Sequence, residues 1–338
     1  MVQATPDGTD LEHTLSVVIP VYRGERHLPG LVEELVPLTE PGRSPAGHPY
    51  RVTEVILVND CGPDDSARVI RELAAALPWV RPVWLSRNFG QHAATTAGIA
   101  SSSGDWVVTM DEDGQHDPAD IGALLDTAMR ERSALVYASP RNETPHTAFR
   151  NTTSRAAKLL INLLSGGDAD ATKFHSYRLM LGEIGRSVAA YAGQGVYLDV
   201  ALSWVADRVT TCPVSVRSEG ERVSGYSVRT LLSHFWRMVM TSGTRGLRVV
   251  SLIGAVFATF GLVLAVVLAV ERLAGGNVPE GWTSTVVILL LCSGLILYAL
   301  GIVAEYIGVA VNMAMGKPPY VIMSDPHSGP LGRGGRAT

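Results

Sequence analysis

Three carboxylates stand together in DWVVTMDEDGQHDP, residues 105 to 118, as Asp111, Glu112 and Asp113. Asp111 and Asp113, two apart on extended backbone, point the same way and can share one divalent ion. Trp106, Val107 and Val108 ahead of them predict a buried parallel strand that delivers the acids to its C-terminal edge. In open α/β sheets ligands bind at that edge. A solvated acidic turn capping a helix from Asp117 is the other reading of these residues. Neither GxGxxG nor GxxxxGK[ST] occurs, so a phosphate-bearing ligand must be held some other way. A divalent ion on the acidic edge would do it by bridging diphosphate oxygens. Arg141, Arg150 and Arg155 then precede a Leu-rich amphipathic run. Guanidinium groups suit bidentate phosphate recognition, although any one of them serves equally as a solvated helix face.

The elements that must position these groups alternate along the chain. LSVVIPVY (15 to 22), VTEVILVND (52 to 60), VRPVWLS and the strand before DEDGQHDP are apolar runs of strand length, followed by ALVYAS (134 to 139). Between them, apolar spacing predicts helices over 28 to 38, 66 to 77, the small-residue stretch after RNFGQ, and 118 to 132. Such β–α alternation predicts an α/β fold with a doubly wound, mostly parallel sheet and helices on both faces.

With 338 residues there is room for one sizeable core and something more. A net charge of −4 gives no basic field, so nucleic acid is not expected as a partner. The apolar surplus sits in two uncharged runs, 249 to 270 and 283 to 304. Each is long enough to cross a hydrocarbon core of about 30 Å as a helix. SVRTLLSHFWRMVMTSG (227 to 243) mixes apolar and basic residues around Trp236, as a helix lying in the membrane interface does; a core helix of the domain is the alternative. The expected organisation is therefore a catalytic domain over 1 to 225, an interfacial helix over 226 to 248, a hairpin over 249 to 307 and a tail over 308 to 338. Arg237, Arg245 and Arg248 before the first run, and Lys317, Arg333 and Arg336 after the second, predict a multi-pass protein of the inner membrane. Its domain and both termini would be cytoplasmic. The N-terminal residues do not read as a signal peptide. Cys61, Cys212 and Cys292 show no disulfide or zinc spacing, which fits a reducing compartment.

SVVIPVYRGE, VILVNDCGPDDS, LSRNFGQHAATTAG and DEDGQHDP, in this order, resemble the family 2 glycosyltransferases with a GT-A fold. Two apolar runs after that domain, followed by GKPPYVI, make the chain similar to the polyisoprenyl-phosphate glycosyltransferases, the dolichol- and undecaprenyl-phosphate sugar synthases among them. The resemblance implies that Pro20, Tyr22, Glu25 and Asp60 line the nucleotide base. It implies that Arg87 and Asn88 lie near the donor, and that Asp111, Asp113 and Gln115 hold a divalent metal (Mg2+ or Mn2+) and the diphosphate. Asp60 can accept the imide-type N–H of uracil or guanine, which does not choose between UDP and GDP donors. Arg141, with Arg150, Arg155 and Arg178, would meet the acceptor phosphate. Where relatives carry Asp-x-Gly-Asp-Phe-Arg-Leu, this chain reads KFHSYRL (173 to 179), keeping Arg178 but placing Lys173 and Ser176 at the acidic positions. Asp199 resembles the general base of other family 2 enzymes; a structural Asp at a helix start is the alternative.

Together these imply a membrane-anchored, metal-dependent, inverting enzyme moving a sugar from a nucleotide donor to a polyprenyl phosphate, with a homo-oligomer left open. Asp113 and Arg141 would be central to catalysis, with Asp199 as the base if one is used. Rival readings are transfer to another lipid or glycan, and a non-catalytic membrane scaffold that keeps the nucleotide fold.

Overall fold

The computed structural model describes residues 11–141, 173–193, 196–215, 217, single positions between 254 and 270, 281–316 and 318–330. Four parallel strands form its centre: β1 (His13–Val21), β3 (Pro49–Asn59), β4 (Val80–Leu85) and β5 (Trp106–Thr109). β2 (Gly42–Arg43) is a short antiparallel addition to β3. The connecting helices are α1 (Leu28–Leu35), α2 (Ser66–Ala76) and α3 (Gln91–Ala100), and α4 (Ile121–Glu131) follows β5.

Side chains alternate across the central strands, as the pleat requires. From β1, Val17 and Ile19 join Leu31, Leu35, Ile70, Leu124 and Leu125 in one layer under α1, α2 and α4. Val18 faces the other way, with Ile56, Val58, Ile99 and Val107, toward α3. Burying each such aliphatic side chain contributes about 1.5–3 kcal/mol. The predicted helix over 28 to 38 gives way at Val36 to a 3-10 turn, Val36–Thr39. Pro37 inside that turn supplies no backbone donor for an α-helical bond.

The remaining strands add antiparallel pairing to this parallel centre. β6 (Leu135–Pro140) does not pair with β5. β7 (Arg178–Leu181) inserts between them and runs antiparallel to both. Helices α5 (Gly182–Tyr191) and α6 (Leu198–Val205) then lead to β8 (Val209–Val214), parallel to β6. The sheet is mixed, in the order β8-β6-β7-β5-β1-β3-β4, and β9 (Ile322–Met323) closes its far edge antiparallel to β4.

The second uncharged run falls on α7 (Trp282–Ala314), which has 33 residues. Among the described residues no helix is long and apolar enough to cross a membrane. Several side chains of α7, most of 249 to 270 and all of the expected interfacial helix, 226 to 248, lie outside the description.

Candidate active site

Loops from three parallel strands meet at the C-terminal sheet edge. After β5, each acid takes a different partner. The Asp111 carboxylate accepts from the Gln91 amide at 2.6 Å and from the Ser176 hydroxyl at 2.7 Å. Its recessed position raises its pKa through desolvation, against the lowering effect of Ser176. Asp113 accepts the Gln115 backbone N–H at 3.1 Å. Glu112 turns away from both, accepting the N–H groups of Tyr22 and Arg23, each at 2.9 Å. Burial pushes its carboxyl up as well.

His116 closes the turn. Its Nδ1 accepts the Asp111 backbone N–H at 3.0 Å, so the ring carries its proton on Nε2. Burial lowers its pKa to about 4, and the ring stacks on Tyr177 with centroids 4.9 Å apart. The 3.9 Å approach of its Nε2 to Asp111 is therefore not an ion pair at neutral pH.

Behind this turn the β1 and β3 loops are tied together. Gly24 N–H donates to the Ser66 hydroxyl at 2.9 Å and Glu25 N–H to Asp64 at 3.1 Å. The Asp65 N–H returns a 3.3 Å bond to Glu25. Gly62 lies so close under the Tyr22 carbonyl that a side chain there would collide with it. Asp60, 2% exposed, accepts the N–H groups of Phe89 at 2.7 Å and Gly90 at 2.9 Å. It thus anchors the turn carrying Arg87, whose guanidinium lies 4.1 Å over the Phe89 ring. Pro20 is buried at the end of β1, and Tyr22 is 40% exposed.

Across β7 the arrangement changes. Arg178 and Asp199, expected as phosphate clamp and base, are both buried and form an ion pair with each other. Arg178 also donates to the Thr109 hydroxyl at 3.0 Å, and the Tyr137 hydroxyl donates to Asp199 at 2.8 Å. Their charges answer each other inside the sheet, because β7 carries Arg178 inward beside Tyr137 of β6. A cleft of about 350 Å³ is lined by Ser139, Pro140, Lys173, Phe174, His175 and Thr211 among others. Arg141, the next residue after Pro140, is exposed; its backbone N–H donates to Val214 at 2.9 Å. Its charge helps to lower the Asp120 carboxyl, whose net shift is upward through burial. Arg150 and Arg155 lie outside the described residues.

Gln91, Ser176 and His116, which hold Asp111, carry no role in the sequence reading. Gln91 and His116 stand inside the motifs LSRNFGQHAATTAG and DEDGQHDP, which is the signal that points to them. Ser176 comes from the bend just before β7, which sequence does not reveal as Asp111's neighbour. Among the described residues no group of three His, Cys, Asp or Glu side chains is placed to hold a metal.

Known proteins resemble this chain along most of its length. The undecaprenyl-phosphate 4-deoxy-4-formamido-L-arabinose transferase of Klebsiella pneumoniae subsp. pneumoniae is 31% identical over 318 residues, 91% of this chain and 92% of the relative. The transferase of the same name from Pseudomonas aeruginosa is 33% identical, over 91% of this chain and 89% of the relative. Among solved structures, Mycobacterium tuberculosis glucosyl-3-phosphoglycerate synthase with Mn2+ and UDP overlaps with a TM-score of 0.48 at 19% identity, covering 69% of this chain and 80% of the other. S. aureus TarS with UDP-GlcNAc gives 0.45 at 13% identity, covering 68% and 66%. Residues 16–184, from β1 into α5 and thus through all the loops of the acidic edge, match the glycosyl transferase family 2. The mixed α/β architecture is GT-A-like, and the chain belongs to glycosyl transferase family 2.

Proposed function

We propose that the chain transfers a sugar from a nucleotide-sugar donor to a polyprenyl phosphate with inversion at the anomeric carbon. The observation that carries this is the acidic turn at the end of β5, held by Glu112 against the β1 loop, which is tied in turn to the β3 loop. Similarity along nine-tenths of the chain to undecaprenyl-phosphate transferases supports the acceptor class.

The donor's base would lie among Pro20, Tyr22, Glu25 and Asp60, with its diphosphate toward Arg87, Asp111 and Asp113. Asp60 spends its hydrogen bonds on the Phe89 and Gly90 amides, yet each carboxylate oxygen keeps a further lone pair for a base N–H. The acidic turn fits a divalent ion. Burial pushes the Asp111 carboxyl up, and burial with the neighbouring Asp64 and Asp113 charges pushes Glu112 up, which a cation at the turn would relieve. Two carboxylates completed by substrate phosphates suit Mg2+ or Mn2+. Asp111, Asp113 and Gln115 would hold the ion, whose chemistry when bound is to neutralise charge on a departing diphosphate.

In the displacement, an acceptor phosphate oxygen bonds to the anomeric carbon as the bond to the donor diphosphate breaks. A phosphate monoester has its second pKa near 6, so the nucleophile is already ionised and needs no base. The engagement of Asp199 with Arg178 and Tyr137 is in keeping with this. Arg141, with Lys173 and His175 at the cleft, would orient the acceptor phosphate.

A membrane hairpin over 249 to 307 belongs to the same proposal. Its support is the two uncharged runs and the exposed Ile288, Leu289, Ile296, Leu297 and Leu300 on α7. A bilayer would cover such a face. Catalytic domain and both termini would face the cytoplasm.

The test incubates purified full-length protein with undecaprenyl phosphate and a panel of UDP- and GDP-sugars, including nucleotide-linked 4-deoxy-4-formamido-L-arabinose. A glycolipid detected by mass spectrometry with one donor is expected. No glycolipid from any donor, with wild-type protein that binds neither UDP nor GDP, overturns the reading.

A further inference from the structure

Glu112 sits between two acids read as metal ligands, yet its oxygens face elsewhere. One accepts the Tyr22 N–H and the other the Arg23 N–H, both at 2.9 Å, across about ninety residues of sequence. Asp111, by contrast, turns its oxygens to Gln91 and Ser176. The loop that Glu112 holds is itself bound to the β3 loop through Gly24 to Ser66 and Glu25 to Asp64. Ser66 in turn donates to Asp64 at 2.6 Å. Gly24 permits the approach, because a Cβ there would stand 2.7 Å from a Glu112 oxygen. Glu112 thus joins the β5 turn to the β1 loop, which is joined in turn to the β3 loop. A carboxylate accepting two N–H groups forms a pair of charge-assisted bonds, the strong class of hydrogen bond.

We propose that Glu112 is a positioning residue: it latches the β1 loop to the acidic turn and so fixes the distance between the nucleotide-base subsite and the diphosphate subsite. This rests on the glycosyl-transfer reading above. A nucleoside diphosphate must touch both subsites at once, so loosening the latch weakens donor binding while leaving the acceptor side alone.

The experiment uses full-length protein in detergent and measures UDP and GDP affinity by calorimetry, then donor KM, lipid KM and kcat. For Glu112→Ala, nucleotide Kd and donor KM should rise about tenfold or more, from the loss of two such bonds. Lipid KM should stay level. Glu112→Gln, which can accept only one of the two N–H groups, should fall between wild type and Ala. Gly24→Ala attacks the same contact from the loop side and should also raise donor KM alone. If Glu112→Ala does not accumulate as folded protein, the Gln and Gly24 variants carry the test. A lowered Tm with unchanged nucleotide Kd and donor KM would make Glu112 a structural staple and overturn the latch. So would a raised Mn2+ requirement at constant UDP affinity, which would make it a metal ligand. Wild-type protein that binds neither nucleotide overturns the underlying reading and the latch with it; wild type and variants binding equally overturn the latch alone.

Discussion

The two halves of the catalytic edge use charge in opposite ways. Around β1, β3 and β5, most carboxylates accept backbone N–H groups: Asp60 from Phe89 and Gly90, Glu112 from Tyr22 and Arg23, Asp113 from Gln115, with Asp111 the exception, held by the Gln91 and Ser176 side chains. Each such bond shapes a loop and leaves the edge negative. Around β6, β7 and β8, the buried Asp199 answers side chains, Arg178 and Tyr137, and the cleft presents Lys173 and His175. One half is an anionic cradle built from main chain; the other is a neutralised interior with a basic rim. An anion in the basic half and a cation-bridged diphosphate in the acidic half would satisfy both.

Removing an acid from the cradle should have the largest effect. Asp113→Ala is expected to abolish transfer, costing several kcal/mol of barrier, the usual scale of Lewis-acid stabilisation. Its fold should survive, because Asp113 lies in the partly exposed turn after β5 and not in the core. Turnover by this variant equal to wild type in the presence of EDTA would end the metal reading.

The buried pair comes next, and here stability rather than turnover should respond. Asp199→Leu leaves Arg178 charged and unpaired at 2% exposure. Breaking a buried pair from one side costs about 3–5 kcal/mol. Replacing both, Arg178→Met with Asp199→Leu, should recover most of that loss, since well-packed apolar substitutes are often neutral or better. Urea unfolding of the single and double variants measures this. Should Asp199→Asn instead unfold like wild type while kcat collapses, the pair belongs to the chemistry and the contrast between the halves fails.

The same contrast explains what sequence makes legible. In the acidic half each strand precedes its helix, the apolar runs match β1, β3, β4 and β5 to within a few residues, and the motifs sit in the connecting loops. Periodicity and turn chemistry are local properties, so one chain suffices to read them. The basic half is assembled by a strand with only four residues, β7, entering antiparallel from far along the sequence. Nothing in RLML announces its neighbours. Arg178 accordingly reads as a free phosphate ligand until Tyr137 and Asp199 are seen around it. Glu112 is a subtler case: spacing sets it apart from Asp111 and Asp113, but the Tyr22 and Arg23 amides that it faces are seen only in the structure.

On the basic rim the expected effect is smaller. Arg141→Lys keeps the charge but loses the planar fork that binds two phosphate oxygens. A charge-assisted contact of roughly 1.5–3 kcal/mol corresponds to about a tenfold or greater rise in apparent KM for the lipid phosphate. Donor KM should not move. A variant with weakened donor binding and unaltered lipid KM would assign Arg141 to the anionic half instead.

The smallest effect is expected at the outer edge of the acidic half, where the chain returns after α7. β9 pairs with β4 through Trp84 with Met323 and Leu85 with Ile322, and Ser86 N–H donates to the Val321 carbonyl at 3.0 Å. Arg71 grips Asp325 with two nitrogens at 2.9 Å and stacks over Trp84 at 4.9 Å. The pair is partly exposed, so solvent screens it, and exposed pairs contribute only about 0.2–1 kcal/mol. Two features place it near the top of that range: the forked geometry and the Asp325 carboxylate's further bond from the His327 N–H at 3.0 Å. Arg71→Ala should cost slightly more than Asp325→Ala, because it also removes the cation from the Trp84 face. For a domain of this size, 1 kcal/mol corresponds to a Tm shift of about 2–4 °C. The two variants combined should lose less than the sum, which a double-mutant cycle in thermal unfolding resolves. Both KM values should stay at wild type, since the contact secures an edge and touches neither subsite. Loss of lipid transfer in Asp325→Ala with nucleotide binding intact would mean that the returning strand serves the acceptor, and the division of the edge into an acidic and a basic half would have to be redrawn to include it.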